Sequence, residues 1–376
     1  MRLQLDAPRA LLLSAAVALS ACGDDQTEPL GDAGQVSDLG SDGSFAPPDA
    51  AADSGQLDGA GPDAGLPEDA APTLDAGPQL GSWSRLAPMP AGPRQETSVV
   101  ELDGEIYVLG GFNQSAQVVA TVEAYDPELD RWRSRASLPF AMHHMNAAVV
   151  AGRIYVVGAL TGLGFVQNRN VISYYPANDR WDPLGEMPAG TDRGSAGVSV
   201  LGDKIYLAGG FRERAAVDLF TAYDPTDGGF ESLPSLPAPL DHLASVAVDG
   251  LVYVIGGRNG SIGSTTASVW AFDPALGTWT EKSPLPRPRA GFAGAALLFG
   301  RVYVFGGEGN PDPGTQGVFS DADAYDPARD QWFRVASMLT PRHGTAAAAL
   351  GGRIFVPGGA VQQAFGAVAT HEAFSP

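Results

Sequence analysis

One phrase is written six times along the chain. An apolar strand followed by a glycine pair first appears as "EIYVLGG" at 105–111 and last as "RIFVPGG" ending at Gly359, with the first glycines 47 to 52 residues apart. Each copy is followed by an aromatic-x-proline phrase such as "YDP" at 125–127. A unit of this period cannot bury its apolar face alone, so neighbouring units must pack on one another. The repeat predicts a single architecture over residues 81–376.

Each unit has the pattern of four short strands. A run of small and β-branched residues such as "TSVVEL" predicts strand A, and a tight turn such as "LDGE" leads into the Ile-Tyr-Val strand B. Strand C ends at the "YDP" phrase, and strand D carries an aromatic residue five positions after the proline. The residues at that position are Trp132, Trp181, Phe230, Trp279 and Trp332.

This combination resembles the Kelch repeat, whose units are the four-stranded blades of a β-propeller. The resemblance implies an all-β fold, a six-bladed Kelch-type β-propeller with strand A nearest the axis. Three positions depart from the pattern: Ala159 replaces the second glycine, Tyr175 the aspartate and Phe230 the tryptophan. Each departure is isolated, which predicts local adjustment rather than a lost blade.

The sixth copy is incomplete at its end. It stops at "HEAFSP", so no tryptophan follows Pro376. The segment "GSWSRLAPMP" at 81–90 has the pattern of a strand D that is not preceded by strands A to C of its own repeat. We therefore predict that the last blade is closed by the N-terminal strand, with Trp83 in the missing position. Such closure leaves no exposed sheet edge.

The first residues have the pattern of an export signal. Residues 1–21 combine two arginines with a short apolar run, too short to span a bilayer. The apolar run leads into "LSAC" at 19–22, which resembles the lipobox of bacterial lipoproteins and predicts lipidation of Cys22. The alternative is an ordinary signal peptide with an incidental cysteine. We expect an exported protein that is lipid-anchored to the outer membrane or cell surface, touching the membrane through this anchor only.

Residues 22–80 have a different composition from the repeats. The segment is rich in Asp, Gly, Ala and Pro and contains no Lys or Arg. With so little apolar bulk it is predicted to be a disordered acidic tether. The chain as a whole carries a net charge of −20 and has no basic tract, which argues against nucleic acid as a partner.

Candidate ligand-binding residues lie in the long B–C and D–A connections, which a four-stranded meander places on one face. Long loops on a rigid scaffold commonly carry binding sites. The candidates are Arg94, Asn113, His144, Arg193, Arg212, His242, Arg258, Asn259, Glu308 and Arg342. Five arginines of this set come from different blades and are expected to converge near the axis, which favours a polar, anionic ligand. The alternative is structural, since an arginine that recurs before strand A can cap carbonyls of its own scaffold.

No metal site, catalytic residue or cofactor is predicted. His143 and His144 are neighbours that should point to opposite faces, which disfavours a shared ion. The alternative is a metal-binding cluster with His242 and His343 of other blades at the mouth of the channel. No P-loop, nucleophile elbow or Cys-His pair is present. The sequence thus favours a binding module for a protein or glycan ligand over an enzyme. The alternative is a carbohydrate-active enzyme of the sialic-acid mutarotase type, with Glu96 or Glu308 as an acid-base group whose pKa is raised beside the ligand.

Overall fold

A computed structural model describes residues 80–376. The predicted signal peptide, Cys22 and all of the predicted tether except Leu80 lie outside the described residues. Within the described part, the helical segments are two single 3-10 turns, Pro176–Asn178 and Ile262–Ser264. None of the described helices has the length and apolarity needed to cross a membrane.

Residues 80–376 form six four-stranded antiparallel sheets, each ordered A-B-C-D. This arrangement confirms the predicted six-bladed propeller. The A strands are Ser98–Leu102, Ala147–Val150, Gly197–Leu201, Ala244–Val248, Ala295–Leu298 and Ala348–Leu350. The B strands are Glu105–Leu109, Arg153–Thr161, Lys204–Ala208, Leu251–Ile255, Arg301–Phe305 and Arg353–Pro357. The C strands are Val122–Asp126, Val166–Tyr175, Phe220–Asp224, Val269–Asp273, Ala322–Asp326 and His371–Ser375. The D strands are Arg131–Arg135, Arg180–Glu186, Gly229–Leu233, Thr278–Lys282, Gln331–Arg334 and Ser82–Arg85, the last belonging to blade 6.

The A strands surround the axis, and the apolar cores lie between neighbouring blades. Each A strand contacts the A strands of the blades beside it. In one core, Tyr107 and Leu109 of blade 1 pack with Ile154, Tyr174 and Trp181 of blade 2. Small residues in the A strands are explained by this position, because six sheets converge there.

The N-terminal strand closes the ring as predicted. Trp83 pairs with Phe374 of the last strand, just as Trp132 pairs with Tyr125 in blade 1. Its indole N–H donates to the carbonyl of Ala336 in blade 5 at 2.6 Å. The side chain is half-buried rather than fully buried.

The recurring tryptophans connect one blade to the next. Each indole Nε1–H donates to a backbone carbonyl that follows strand D of the preceding blade, at 2.6 to 3.0 Å. The acceptors are Ala336, Ala87, Ala136, Pro234 and Ser283 for Trp83, Trp132, Trp181, Trp279 and Trp332. Phe230 keeps the aromatic contact with Tyr223 but has no N–H to donate. The contact between blades 2 and 3 therefore lacks this bond.

Two short pairings and several single bridges hold the long loops. Arg94–Gln95 pairs with Phe112–Asn113, and Phe211–Arg212 pairs with Ala215–Ala216. In blades 2 to 6, the D–A connection forms one bridge to the end of strand B or to the loop after it, as between Asp241 and Arg258. The B–C and D–A connections therefore meet on one face, which we call the long-loop face.

Blade 2 departs from the others at Ala159. In blade 1, Gly111 takes φ +95°, and a Cβ there would lie 2.3 Å from the Gln95 carbonyl oxygen. The backbone turns away at that glycine. Ala159 keeps an extended conformation, because an L-residue disfavours positive φ. Strand B of blade 2 consequently continues to Thr161, and its hairpin with strand C projects from the long-loop face.

Candidate functional site

Six residues form a closed ring of backbone hydrogen bonds around the axis at the long-loop face. They occupy the same place in each D–A connection and have φ between 49° and 65°. The N–H of each donates to the carbonyl of its neighbour in the preceding blade, at 2.5 to 3.1 Å. The ring consists of Glu96, His144, Ser195, His242, Gly291 and Gly344. The left-handed backbone thus aligns the side chains of Glu96, His144 and His242 at the opening of the axial channel.

The glycine at 344 makes space for a neighbour. A Cβ at Gly344 would lie 2.5 Å from Oε1 of Glu96. The Glu96 carboxylate can therefore lie over the backbone of blade 6 only because that residue has no side chain. Beneath the ring, the channel is a cavity of about 220 Å³ lined mainly by small residues such as Ser98, Ala147 and Ala347.

Six ionisable side chains form a second ring at this opening. We call them the mouth cluster: Glu96, His144, His242, Arg258, Glu308 and His343. Nε2 of His144 lies 3.1 Å from Oε2 of Glu96 and 2.9 Å from Nε2 of His242. Arg258 donates from Nη2 to His242 at 3.0 Å and from Nη1 to Glu308. Nδ1 of His343 lies 3.7 Å from Glu308 and 3.9 Å from Glu96, which closes the circle.

Two buried residues orient the central histidines. Nδ1 of His242 lies 2.5 Å from the carboxylate of Asp241, which also accepts from Arg258 Nε at 3.1 Å and from the Gly260 N–H at 2.9 Å. Nδ1 of His144 lies 2.5 Å from Nδ1 of His143, whose Nε2 lies 3.0 Å from the Gly162 carbonyl. A carbonyl only accepts, so His143 donates through Nε2 and accepts at Nδ1 from His144.

The pKa shifts agree with this assignment. Burial, assisted by the charge of His144, lowers the pKa of His143 to about 3. Burial and the charge of Arg258 also lower the pKa of His242. Burial opposes ionisation of Glu96, but the charge and hydrogen bond of His144 outweigh it and hold that pKa well below its ordinary value. At neutral pH, His143 and His242 are neutral and Glu96 is a carboxylate.

An aromatic wall lies beside the mouth cluster. It consists of Phe112, Phe165, Phe211 and Phe365, which come from the loops of four blades. Phe165 lies at the centre, with ring centroids 6.2 Å from Phe112, 6.1 Å from Phe211 and 5.4 Å from His144. A cavity of about 200 Å³ is lined by Phe165, Phe211, Arg214, His242 and Arg258. Phe112 is fully buried, so Phe165, Phe211 and Phe365 supply the aromatic surface that adjoins the hydrogen-bonding groups of the opening.

Four of the ten sequence candidates come together in the mouth cluster: His144, His242, Arg258 and Glu308. Three others lie in loops outside it. Asn113 uses its side-chain oxygen within its own loop, accepting from the N–H groups of Ser115 and Gln117. Arg212 pairs with Glu213 at 2.6 Å, and Asn259 is exposed beside Arg258.

The expected convergence of five arginines at the axis is wrong. Arg94, Arg193 and Arg342 are at most 1% exposed, and their guanidinium groups lie within the blades. Each donates to carbonyls at the end of strand B: Arg94 to Gly110, Arg193 to Gly209 and Arg342 to Gly358, at 3.4, 2.6 and 2.8 Å. Of the five, only Arg258 belongs to the mouth cluster. The structural alternative explains the recurring arginines.

Sequence reasoning missed Asp241 and the aromatic wall. Phe112 and Phe211 directly follow a glycine pair, as "GGF", and this recurrence was a usable signal. No comparable sequence signal marked Phe165, because its position depends on the longer hairpin of blade 2. The pairing of Asp241 with His242 also had no signal, because it depends on the left-handed conformation of the ring.

Comparisons with known proteins place the chain among Kelch proteins. A profile described as the KLHDC2/KLHL20/DRC7 Kelch-repeats domain matches residues 182–359, and the Kelch motif matches residues 93–139. The chain is 32% identical to Kelch-like protein terF of Aspergillus terreus over 76% of its own length and 66% of that protein. It is 33% identical to mouse Kelch-like protein 35, covering 55% of this chain and 34% of the relative.

A solved structure shares the fold. The structure of YjhT superimposes with a TM-score of 0.64 at 16% identity, covering 77% of this chain and 96% of that one. At this identity the likeness concerns the fold alone. The chain spans about two thirds of terF and one third of Kelch-like protein 35.

Proposed function

The chain belongs to the Kelch-repeat family, and on that premise we propose that it is an interaction module that binds a protein or carbohydrate ligand at its long-loop face. One observation carries the proposal: the aromatic wall and the mouth cluster adjoin on the same face. Aromatic rings bind the apolar faces of sugar rings and of peptide side chains, and a few placed polar groups orient such ligands.

The charge of the site indicates which ligand groups suit it. The mouth cluster contains two carboxylates, Glu96 and Glu308, and Asp241 adds a third directly behind it. Arg258 is already paired with two of these carboxylates. A ligand that reaches the cluster therefore meets acceptors and negative charge, which favours hydroxyl, amine or guanidinium groups over carboxylates.

The enzymatic alternative requires a carboxyl group with a raised pKa at the mouth. The pKa of Glu96 is shifted in the opposite direction. The charge and hydrogen bond of His144 stabilise the ionised carboxylate by more than burial destabilises it. This carboxylate is suited to accepting hydrogen bonds, and the site geometry favours the binding role.

The test is a binding screen with a matched pair of phenylalanine variants. The purified full chain would be applied to glycan and peptide arrays, and the affinity of each ligand found would be measured by calorimetry. Phe165→Ala is expected to weaken binding by about 10- to 100-fold, because it removes the centre of the aromatic wall. Phe299→Ala is the control, since Phe299 is 76% exposed in the A–B turn of blade 5, away from the long-loop face. Equal affinities for the two variants would refute the site.

We further propose that the propeller is exported and held at a membrane by lipid at Cys22, with residues 23–80 as a tether. The support is the sequence alone: the signal-like residues 1–21, the "LSAC" motif and the acidic composition that follows.

A further inference from the structure

Three potential metal ligands converge in the mouth cluster. One ligand atom from each of Glu96, His144 and His242 lies within 4.8 Å of those of the other two. His144 Nε2 is 3.1 Å from Glu96 Oε2 and 2.9 Å from His242 Nε2. Zinc bonds to such atoms are about 2.0–2.2 Å long, so two ligands of one ion lie roughly 3–4 Å apart. The three side chains come from blades 1, 2 and 4, and the backbone ring holds them in place.

Both histidines already have the outer partners that a metal ligand needs. His242 donates its Nδ1 proton to the buried Asp241 carboxylate at 2.5 Å, so its Nε2 lone pair faces the opening. His144 donates its Nδ1 proton to His143 at 2.5 Å, and His143 is anchored to the Gly162 carbonyl. Such partners fix the tautomer and the ring orientation of metal-binding histidines.

We propose that Glu96, His144 and His242 bind a divalent transition-metal ion, with zinc as the ion best suited to two imidazoles and one carboxylate. The nearby Asp241 and Glu308 make the surroundings negative, which favours a dication over an anion. The ion binds the unprotonated Nε2 of each histidine. The metal site uses part of the same mouth cluster, goes beyond the proposed binding of a protein or carbohydrate, and is tested with the metal ion alone.

The guanidinium group of Arg258 competes with the metal ion for His242. Its Nη2 lies 3.0 Å from Nε2 of His242, the atom that would bind the ion. The guanidinium group must move for the ion to enter, and the adjoining cavity beside Phe165 and Phe211 offers space for it. Removing this positive group should therefore strengthen metal binding, an effect opposite to that of removing a ligand.

The experiment measures zinc binding to the full chain, purified without a histidine tag and stripped with a chelator. Calorimetry is expected to show one Zn²⁺ bound per chain, and Co²⁺ is expected to give the visible absorption of a low-coordinate nitrogen and oxygen site. Glu96→Gln, His144→Ala and His242→Ala are expected to abolish the saturable binding. Asp241→Asn should weaken it by about 10- to 100-fold, the usual effect of losing an outer partner.

Arg258→Ala should lower the dissociation constant for Zn²⁺, while Glu128→Gln, an exposed carboxylate in a C–D turn, should leave it unchanged. Unfolding temperatures without metal would show which variants fold. If a histidine variant does not fold, two other variants test the proposal. Glu96→Gln keeps the shape of the side chain, and Arg258→Ala removes the guanidinium group that occupies the site. The proposal is overturned by a wild-type chain without saturable Zn²⁺ binding, by equal binding in Glu96→Gln, or by Arg258→Ala binding no more tightly than wild type.

Discussion

Ala159 and Asn146 show how one residue compensates for another in blade 2. In blade 1, the N–H of Gly111 donates to the Met142 carbonyl of the next blade at 2.8 Å. Ala159 continues strand B instead. The fully buried amide of Asn146 takes over this contact, donating to the Arg193 carbonyl at 2.8 Å and to the Val157 carbonyl at 2.9 Å. A loss of backbone pairing between two blades is thus offset by a side chain.

Replacing this amide should destabilise the propeller. Asn146→Ala leaves the Arg193 carbonyl without its donor in a buried place, which costs about 1–3 kcal/mol in the free energy of unfolding. Urea denaturation checks the value, with the exposed Gln114→Ala as the control. A stability loss no larger than that of the control would show that the amide does not link the blades.

His371 should make the protein acid-sensitive. Burial among Tyr125, Trp132 and Phe355 lowers its pKa to about 3, far below the ordinary value of 6.5. Because the pKa is lower in the folded state, the unfolded chain takes up the proton first, and stability is lost as the pH falls from 6.5 towards 3. At pH 5 this single group costs about 2 kcal/mol.

The His371→Phe variant removes this proton uptake and keeps an aromatic ring in the same pocket. Its free energy of unfolding should therefore fall by about 2 kcal/mol less than that of the wild type between pH 7.5 and pH 5. Urea denaturation at the two pH values gives both numbers. Parallel losses in the two proteins would contradict the assignment.

At the scale of strands and blades, the propeller is stabilised by contacts between adjacent blades and by the N-terminal strand that completes blade 6. Each blade shares a core with the next, and the indole bonds of the D strands reinforce five of the contacts. Blade 6 alone is built from both ends of the described chain, because Ser82–Arg85 supplies its outer strand. The stability of the ring therefore depends on a strand that lies far away in sequence.

Two substitutions at Trp83 separate its contributions. Trp83→Phe keeps the ring contacts with Phe305 and Phe374 but loses the N–H bond to Ala336, at a cost of about 1 kcal/mol. Trp83→Ala also removes the aromatic packing and should cost about 3 kcal/mol. Thermal and urea unfolding should remain a single transition in both. An alanine variant as stable as the phenylalanine variant would show that Trp83 packing does not hold the closure.

At the scale of the whole molecule, the propeller separates scaffold from site. The blades and their buried arginines form a rigid frame, while the long loops place aromatic and ionisable groups on one face. A ligand site on such a frame needs little reorganisation on binding. The proposed lipid anchor would present this face at a membrane surface through residues 23–80.

The anchor is tested by changing its attachment atom. Cys22→Ser removes the only thiol of the chain, and thus the only place for a thioether-linked lipid. The variant is expected to lose incorporation of labelled fatty acid and to leave the membrane fraction for the soluble one. Serine differs from cysteine by a single atom, so the variant should unfold at the same temperature as the wild type. That measurement is the control for an intact propeller. Membrane association that persists in the variant would refute the anchor.

The repeat alone determined the fold, because strand order, blade number and closure by Trp83 all follow from motifs that recur at one spacing. Local sequence also marked Ala159 and Phe230 as departures, since each changes a residue with a defined backbone or hydrogen-bonding role. The site could be predicted only in part. His144, His242, Arg258 and Glu308 were found from their loops, but equally polar Arg94, Arg193 and Arg342 lie inside the blades. The direction of a side chain at a D–A connection depends on the left-handed ring, whose hydrogen bonds join residues of neighbouring blades. That ring exists only after the propeller has closed, so tertiary structure decided which polar residues reach the opening.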